Sequence, residues 1–99
     1  MNKEVENKIK LLKLVRNRIE NGYEFYICNA SKKVAANNTS LKTADQQIRS
    51  YIMKALNTYT LDDWILTHQP KSEYINKMKQ ARLMWIDWMI NCYMEDNKE

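Results

Sequence analysis

Arg82-Leu83-Met84-Trp85-Ile86-Asp87-Trp88-Met89-Ile90-Asn91-Cys92-Tyr93-Met94 is the stretch that decides the fold. Between Leu83 and Met94 only Asp87 and Asn91 are strongly polar. No Gly or Pro interrupts the run, so it predicts a long last helix, capped by Ser72 and reaching about Tyr93. At 100° per residue Asp87 and Asn91 share one narrow stripe, with Arg82 on the far side. A helix apolar nearly all round has to be covered nearly all round. The expectation is a last helix at the centre of a bundle, with part of its surface in an interface, most simply a homodimer. Trp and Met are favoured where proteins meet, so Met84, Trp85, Trp88 and Met89 are the expected interface residues. The two tryptophans sit on neighbouring apolar stripes, and the pattern leaves open which of them faces out.

Working outward, the same helical spacing governs the rest of the chain. Val5, Ile9, Leu12, Val15 and Ile19 recur every three or four residues, opposite Lys3, Glu6, Lys10, Lys13, Asn17 and Glu20. Asn21-Gly22 supplies a C-terminal stop. A shorter helix is expected from Tyr23 to about Ala36, with Phe25, Tyr26, Ile27, Ala30 and Val34 on its apolar side. Asn37-Asn38-Thr39-Ser40 is a polar break, and either hydroxyl is a candidate cap for the next helix. Leu41, Ala44, Ile48, Ile52 and Leu56 mark that third helix, whose outer face carries Lys42, Gln46, Arg49 and Ser50. Thr60-Leu61-Asp62-Asp63, followed by Trp64 and Ile65, reads as the capped start of a short helix that ends before Pro70. The prediction is therefore one all-α domain over residues 1–99, a compact bundle of four to five helices.

Composition agrees with that plan. One Gly and one Pro in 99 residues exclude most β-rich architectures and any glycine-rich phosphate loop. Hydrophobic residues make up 44% and charged residues 28%, a globular balance rather than a disordered one. The net charge of +4 is uneven. Residues 1–40 hold eight Lys/Arg against four Glu, whereas residues 61–99 hold five against seven acidic groups. A mildly basic front attracts anions weakly and falls short of a nucleic-acid-binding arm.

No signal-like leader and no uncharged run of membrane-spanning length is visible, which points to the cytoplasm. Cys28 and Cys92 lack metal or redox spacing and read as small apolar core residues. Asn29-Ala30-Ser31 and the overlapping acceptor patterns at Asn37 and Asn38 carry no meaning without secretion. His68 is the only histidine, so a zinc site lacks ligands. Asp62 and Asp63 read as charge at a helix start, and no serine nucleophile has a base or an oxyanion site to work with. The expectation is a protein that is not an enzyme and needs no metal or cofactor.

Two binding patterns stand out. Arg16, Tyr23, Tyr26, Lys32, Lys33 and Arg49 combine aromatic faces with cations, the pairing a nucleotide base and its phosphates require. Alternatively, the second and third helices form a helix-turn-helix in which Lys42, Gln46, Gln47 and Arg49 face nucleic acid. The turn is long and lacks the usual glycine, and Glu6, Glu20 and Glu24 dilute the basic face.

Gly22 to Ala30 (GYEFYICNA), Leu61-Asp62-Asp63-Trp64-Ile65, and Arg82 to Ile90, with Ile48, Ile52 and Leu56 between, resemble a class of small bacteriophage accessory proteins. Those proteins combine a Gly-x-x-x-Tyr-Ile-Cys-x-Ala segment, a Leu-x-x-Trp-Leu/Ile segment and an Arg-x-x-Trp-Ile segment. The likeness spans about residues 11–93. It implies a non-catalytic protein of the host bacterial cytosol that counters a host defence or host process by binding. The expected partner is a host protein or a small nucleotide immune signal. A small DNA- or RNA-binding regulator is the alternative.

Overall fold

The computed structural model describes residues 2–55 and 71–96, and every regular element among them is helical. Four α-helices are described: α1 (Lys3–Glu20), α2 (Ile27–Asn37), α3 (Lys42–Ala55) and α4 (Lys71–Asp96). Leu56, the segment from Thr60 through Asp62, Asp63 and Ile65, His68 and Pro70 lie outside the described residues. The radius of gyration, 13.8 Å, is close to the ~13 Å of a compact chain of this length. The long dimension of 44 Å reflects α4, whose 26 residues extend roughly 39 Å at 1.5 Å each.

The first helix forms where its sequence has the right ends. The side chain of Asn2 accepts a hydrogen bond from the Glu4 amide at 2.8 Å, and Glu4 and Glu6 sit in the positive first turn. At the other end Gly22 adopts φ 78°, the left-handed conformation that glycine takes without a side-chain penalty. The Gly22 amide donates to the Ile19 carbonyl at 3.1 Å and the Tyr23 amide to that of Arg18 at 2.9 Å. That pair of bonds is a Schellman closure, and it turns the chain sharply off the helix axis.

The turn explains why the second helix starts later than the periodicity suggests. Residues Tyr23–Tyr26 leave the Schellman turn in non-helical backbone, and α2 begins only at Ile27. Its buried residues are Ala30, Ser31, Val34 and Ala35, small enough for close packing of helices. Thr39–Leu41 form one turn of 3-10 helix that runs straight into α3, since Lys42 is itself helical (φ −60°, ψ −44°). Thr39 and Ser40 thus lie inside the helical run, and no side chain caps it at Asn38. Leu41 is driven fully into the core.

The core joins Leu11, Leu12, Val15 and Ile19 of α1 to Ala30 and Val34 of α2 and to Leu41, Ala44 and Ile48. Leu83, Ile86, Met89 and Ile90 of α4 complete it. Among the described elements α1 is the hub: it packs on α2, α3 and α4, and α4 packs chiefly on α1. The expectation of a central last helix is corrected accordingly. Helix α4 buries one side and leaves Met84 71% and Trp88 54% exposed. No helix among the described residues is long and apolar enough to cross a membrane.

Candidate functional site

The Schellman turn presents residues 23–26 as a short loop at the C-terminal end of α1. Three of its four residues are aromatic and exposed: Tyr23 (71%), Phe25 (44%) and Tyr26 (46%). The fourth, Glu24, points inward and makes ion pairs with Lys33 of α2 and with Arg18 of α1 (3.8 Å). Its side chain is only 9% exposed, so the carboxylate anchors the loop to two helices in a partly dehydrated setting.

Arginines back the rings. The Arg18 guanidinium lies 5.8 Å from the Tyr23 ring centre, next to the hydrogen bond between their backbones that closes α1. Arg82 of α4 is nearly buried (3% exposed) and sits 4.9 Å from the Tyr26 ring and 5.4 Å from the Phe25 ring. A desolvated cation against an aromatic face contributes up to ~2 kcal/mol. These contacts hold the inner faces of the rings and leave their outer surfaces in solvent. A rigid aromatic loop of this kind loses little entropy on binding.

The six residues expected to form an anion or nucleotide site do not gather in one place. Tyr23, Tyr26 and Lys33 meet at the loop, and Lys33 is held by Glu24 there. Arg16 points to the other helix pair: Nε donates to Asp87 at 2.7 Å and a terminal nitrogen donates to Glu20 at 2.6 Å. The Asp87 hydrogen bond outweighs burial and raises the Arg16 pKa further above neutrality. Arg49 belongs to a third cluster, between α2 and α3. Its Nε and one terminal nitrogen each donate to Asp45 at 2.8 Å, and the buried Ser31 hydroxyl donates to the same carboxylate at 2.6 Å. Burial pushes the Asp45 carboxyl up. The Arg49 and Ser31 hydrogen bonds, with the charges of Arg49 and Lys32, outweigh it and hold the group below the usual carboxylate range. Lys32 itself is exposed.

The helix-turn-helix candidates fare similarly. Lys42 and Gln46 are exposed, but Gln47 donates to Glu4 at 2.8 Å and Arg49 is committed to Asp45. Of the expected interface residues, Met84 and Trp88 face out. Trp85 is half-buried against the core and Met89 is a core residue at 4% exposure, which removes Met89 from any surface. Among the described residues no group of three or more His, Cys, Asp or Glu is placed to hold a metal ion. Cys28 and Cys92 are half-buried, and neither forms a disulfide.

The sequence pattern singled out Arg18 among the cations near aromatics but not Glu24, Phe25 or Arg82 as parts of this site. Two signals were present: an arginine opening an otherwise apolar run, and aromatics at three of the four positions 23–26. Comparison with protein-family models, with curated proteins and with solved structures finds no match for this chain.

Proposed function

We propose that this chain is a non-enzymatic, phage-type binding protein that counters a host defence or host process by gripping a host protein stoichiometrically. The recognition surface is the loop of Tyr23, Phe25 and Tyr26. The observation that carries this reading is three exposed aromatic rings on one loop, braced from below by Arg82 and by the Glu24 ion pairs. Tyr and Arg dominate the energetics of protein interfaces, and rings held in place lose little entropy when a partner covers them. The sequence resemblance to small phage accessory proteins supports the biological setting, the host bacterial cytosol.

A nucleotide signal is the second reading, favoured by the meeting of Tyr23, Tyr26 and Lys33 at this loop. It is the weaker of the two, because a phosphate needs uncommitted cations and Arg16, Lys33 and Arg49 each hold a carboxylate.

The test places a photoreactive amino acid at Tyr23, and at exposed Lys13 as control, in cells that express the chain. One host protein cross-linked at position 23 and not at 13 is expected, together with loss of the chain's effect in a Tyr23→Ala, Phe25→Ala variant. An effect unchanged in that variant refutes the reading. Native mass spectrometry separates the second reading: a copurifying ligand of a few hundred daltons that the loop variant no longer carries shifts the assignment to a nucleotide.

A further inference from the structure

We propose that Asn21 is a self-modifying site, whose side-chain amide is converted to an acid by the backbone of Gly22 at a rate set by the Schellman closure of α1. Asn21-Gly22 is the one Asn-Gly pair of the chain, because Gly22 is its only glycine. Asn21 is exposed, so water reaches it. No atom lies within 4 Å of the place a Gly22 Cβ would take, so neither a side chain nor a neighbour shields that side of the residue.

The chemistry needs only water. The Gly22 amide gives its proton to hydroxide, and its nitrogen attacks Asn21 Cγ. The bond from Cγ to the side-chain nitrogen breaks, and that nitrogen takes a proton from water and leaves as ammonia. The product is a five-membered succinimide. Water adds to one of its two carbonyls and reopens the ring, as aspartate or as isoaspartate at position 21. No electron donor or acceptor takes part.

The folded chain holds the reacting atoms apart. Asn21 has ψ 2°, so the Gly22 nitrogen eclipses the Asn21 nitrogen and lies a third of a turn about the Cα–C bond from Cβ. Ring closure requires it to swing beside Cβ. That swing breaks the bond from the Gly22 amide to the Ile19 carbonyl (3.1 Å) and the bond from the Tyr23 amide to the Arg18 carbonyl (2.9 Å). The Asn21 side chain is tied as well, donating to the Asn17 carbonyl and to Asn17 Oδ1, each at 2.8 Å. Glu24, held by Lys33 and Arg18, fixes the residues that follow. Opening of the loop is therefore the step that permits the reaction.

The product does not restore the closure. A carboxylate cannot donate to Asn17, and it sits at the negative end of α1. Isoaspartate also adds a backbone carbon before Gly22, which shifts the spacing that both closing bonds need. Conversion thus releases residues 23–26 irreversibly. That this silences the protein rests on the reading of the loop as its recognition surface; the chemistry and the release do not.

Incubation of the full chain in mildly alkaline buffer, folded and in guanidinium, with peptide mapping by mass spectrometry, tests this. In guanidinium Asn21 should convert ahead of every other asparagine. In the folded chain it should convert about tenfold or more slowly, since two hydrogen bonds must open first. Glu24→Gln, with helical circular dichroism unchanged, should speed the folded reaction several-fold. Lys33→Gln, at an exposed position, is the second variant should Glu24→Gln disturb folding. Chymotrypsin should cut the converted chain after Tyr23, Phe25 or Tyr26 faster than the unconverted chain. No preference for Asn21 in guanidinium overturns the site. A folded rate equal to the denatured one, or one indifferent to both variants, overturns the control by the closure. A converted chain cut no faster overturns the release.

Discussion

Replacing Asp45 should cost this domain a large share of its stability. Asp45 is 4% exposed and accepts three hydrogen bonds, two from Arg49 and one from Ser31. In Asp45→Ala the Ser31 hydroxyl, fully buried, loses its acceptor, at about 1–3 kcal/mol. The Arg49 side chain is 31% exposed and regains water, so its two lost bonds cost less than a fully buried pair, ~1–2 kcal/mol together. The sum is about 3 kcal/mol, against ~5–15 kcal/mol for a whole domain. Asp45→Asn keeps the volume and an acceptor for Ser31 and should lose only ~1–2 kcal/mol. In urea, with a slope of ~1–1.5 kcal/mol per molar, Asp45→Ala should move the midpoint down by roughly 2–3 M. Acid provides a second readout. The folded Asp45 pKa is depressed, so its stabilisation is present above the unfolded value of ~3.9 and is lost as pH falls through the folded value. The gap between wild type and Asp45→Asn should therefore close on acidification below about pH 4. A cost under ~0.5 kcal/mol for Asp45→Ala, or a gap that does not narrow in acid, would mean that water already serves this carboxylate and that the reasoning is wrong.

Two further substitutions test the frame. Ile86→Ala, at a fully buried position where α4 enters the core, should destabilise the domain by ~2–5 kcal/mol in the same urea assay, with the helical signal retained before the transition. Gly22→Ala should lower thermal stability by roughly 1–2 kcal/mol: no atom lies within 4 Å of the added methyl, so the whole cost comes from holding an L-residue at φ 78°.

Where the fold was legible, one physical signal was enough. In α1 the stripe of Val15 and Ile19, the polar opposite face and the Asn21-Gly22 stop all act locally, and the helix ends at Glu20 as that reading requires. Tyr23–Tyr26 was not legible as a loop, because its apolar residues fit a helical period. What overrides the period is the 6→1 bond from Tyr23 to Arg18 and the inward pull of Lys33 on Glu24. The basic residues of the expected anion site were misgrouped for a related reason. Sequence shows the cations but not which carboxylate each one meets, and Asp87 lies 71 residues from Arg16. Only the tertiary fold makes that pairing.

Helix α4 inverts the hydropathy rule in two ways, and the inversions differ in kind. Arg82 is charged and buried, and its burial is compensated locally: two rings from the loop after α1 lie against the guanidinium. Its stem adds apolar contact, so the residue works as packing as well as charge. Trp88 is apolar and 54% exposed, and the described residues supply no matching compensation. A buried charge that finds partners inside the chain is explained by the fold. An exposed indole one turn from an exposed methionine finds no such partner among the described residues. This asymmetry is why Arg82 belongs to the scaffold of the aromatic loop, whereas Met84 and Trp88 contribute to the described core only from its edge.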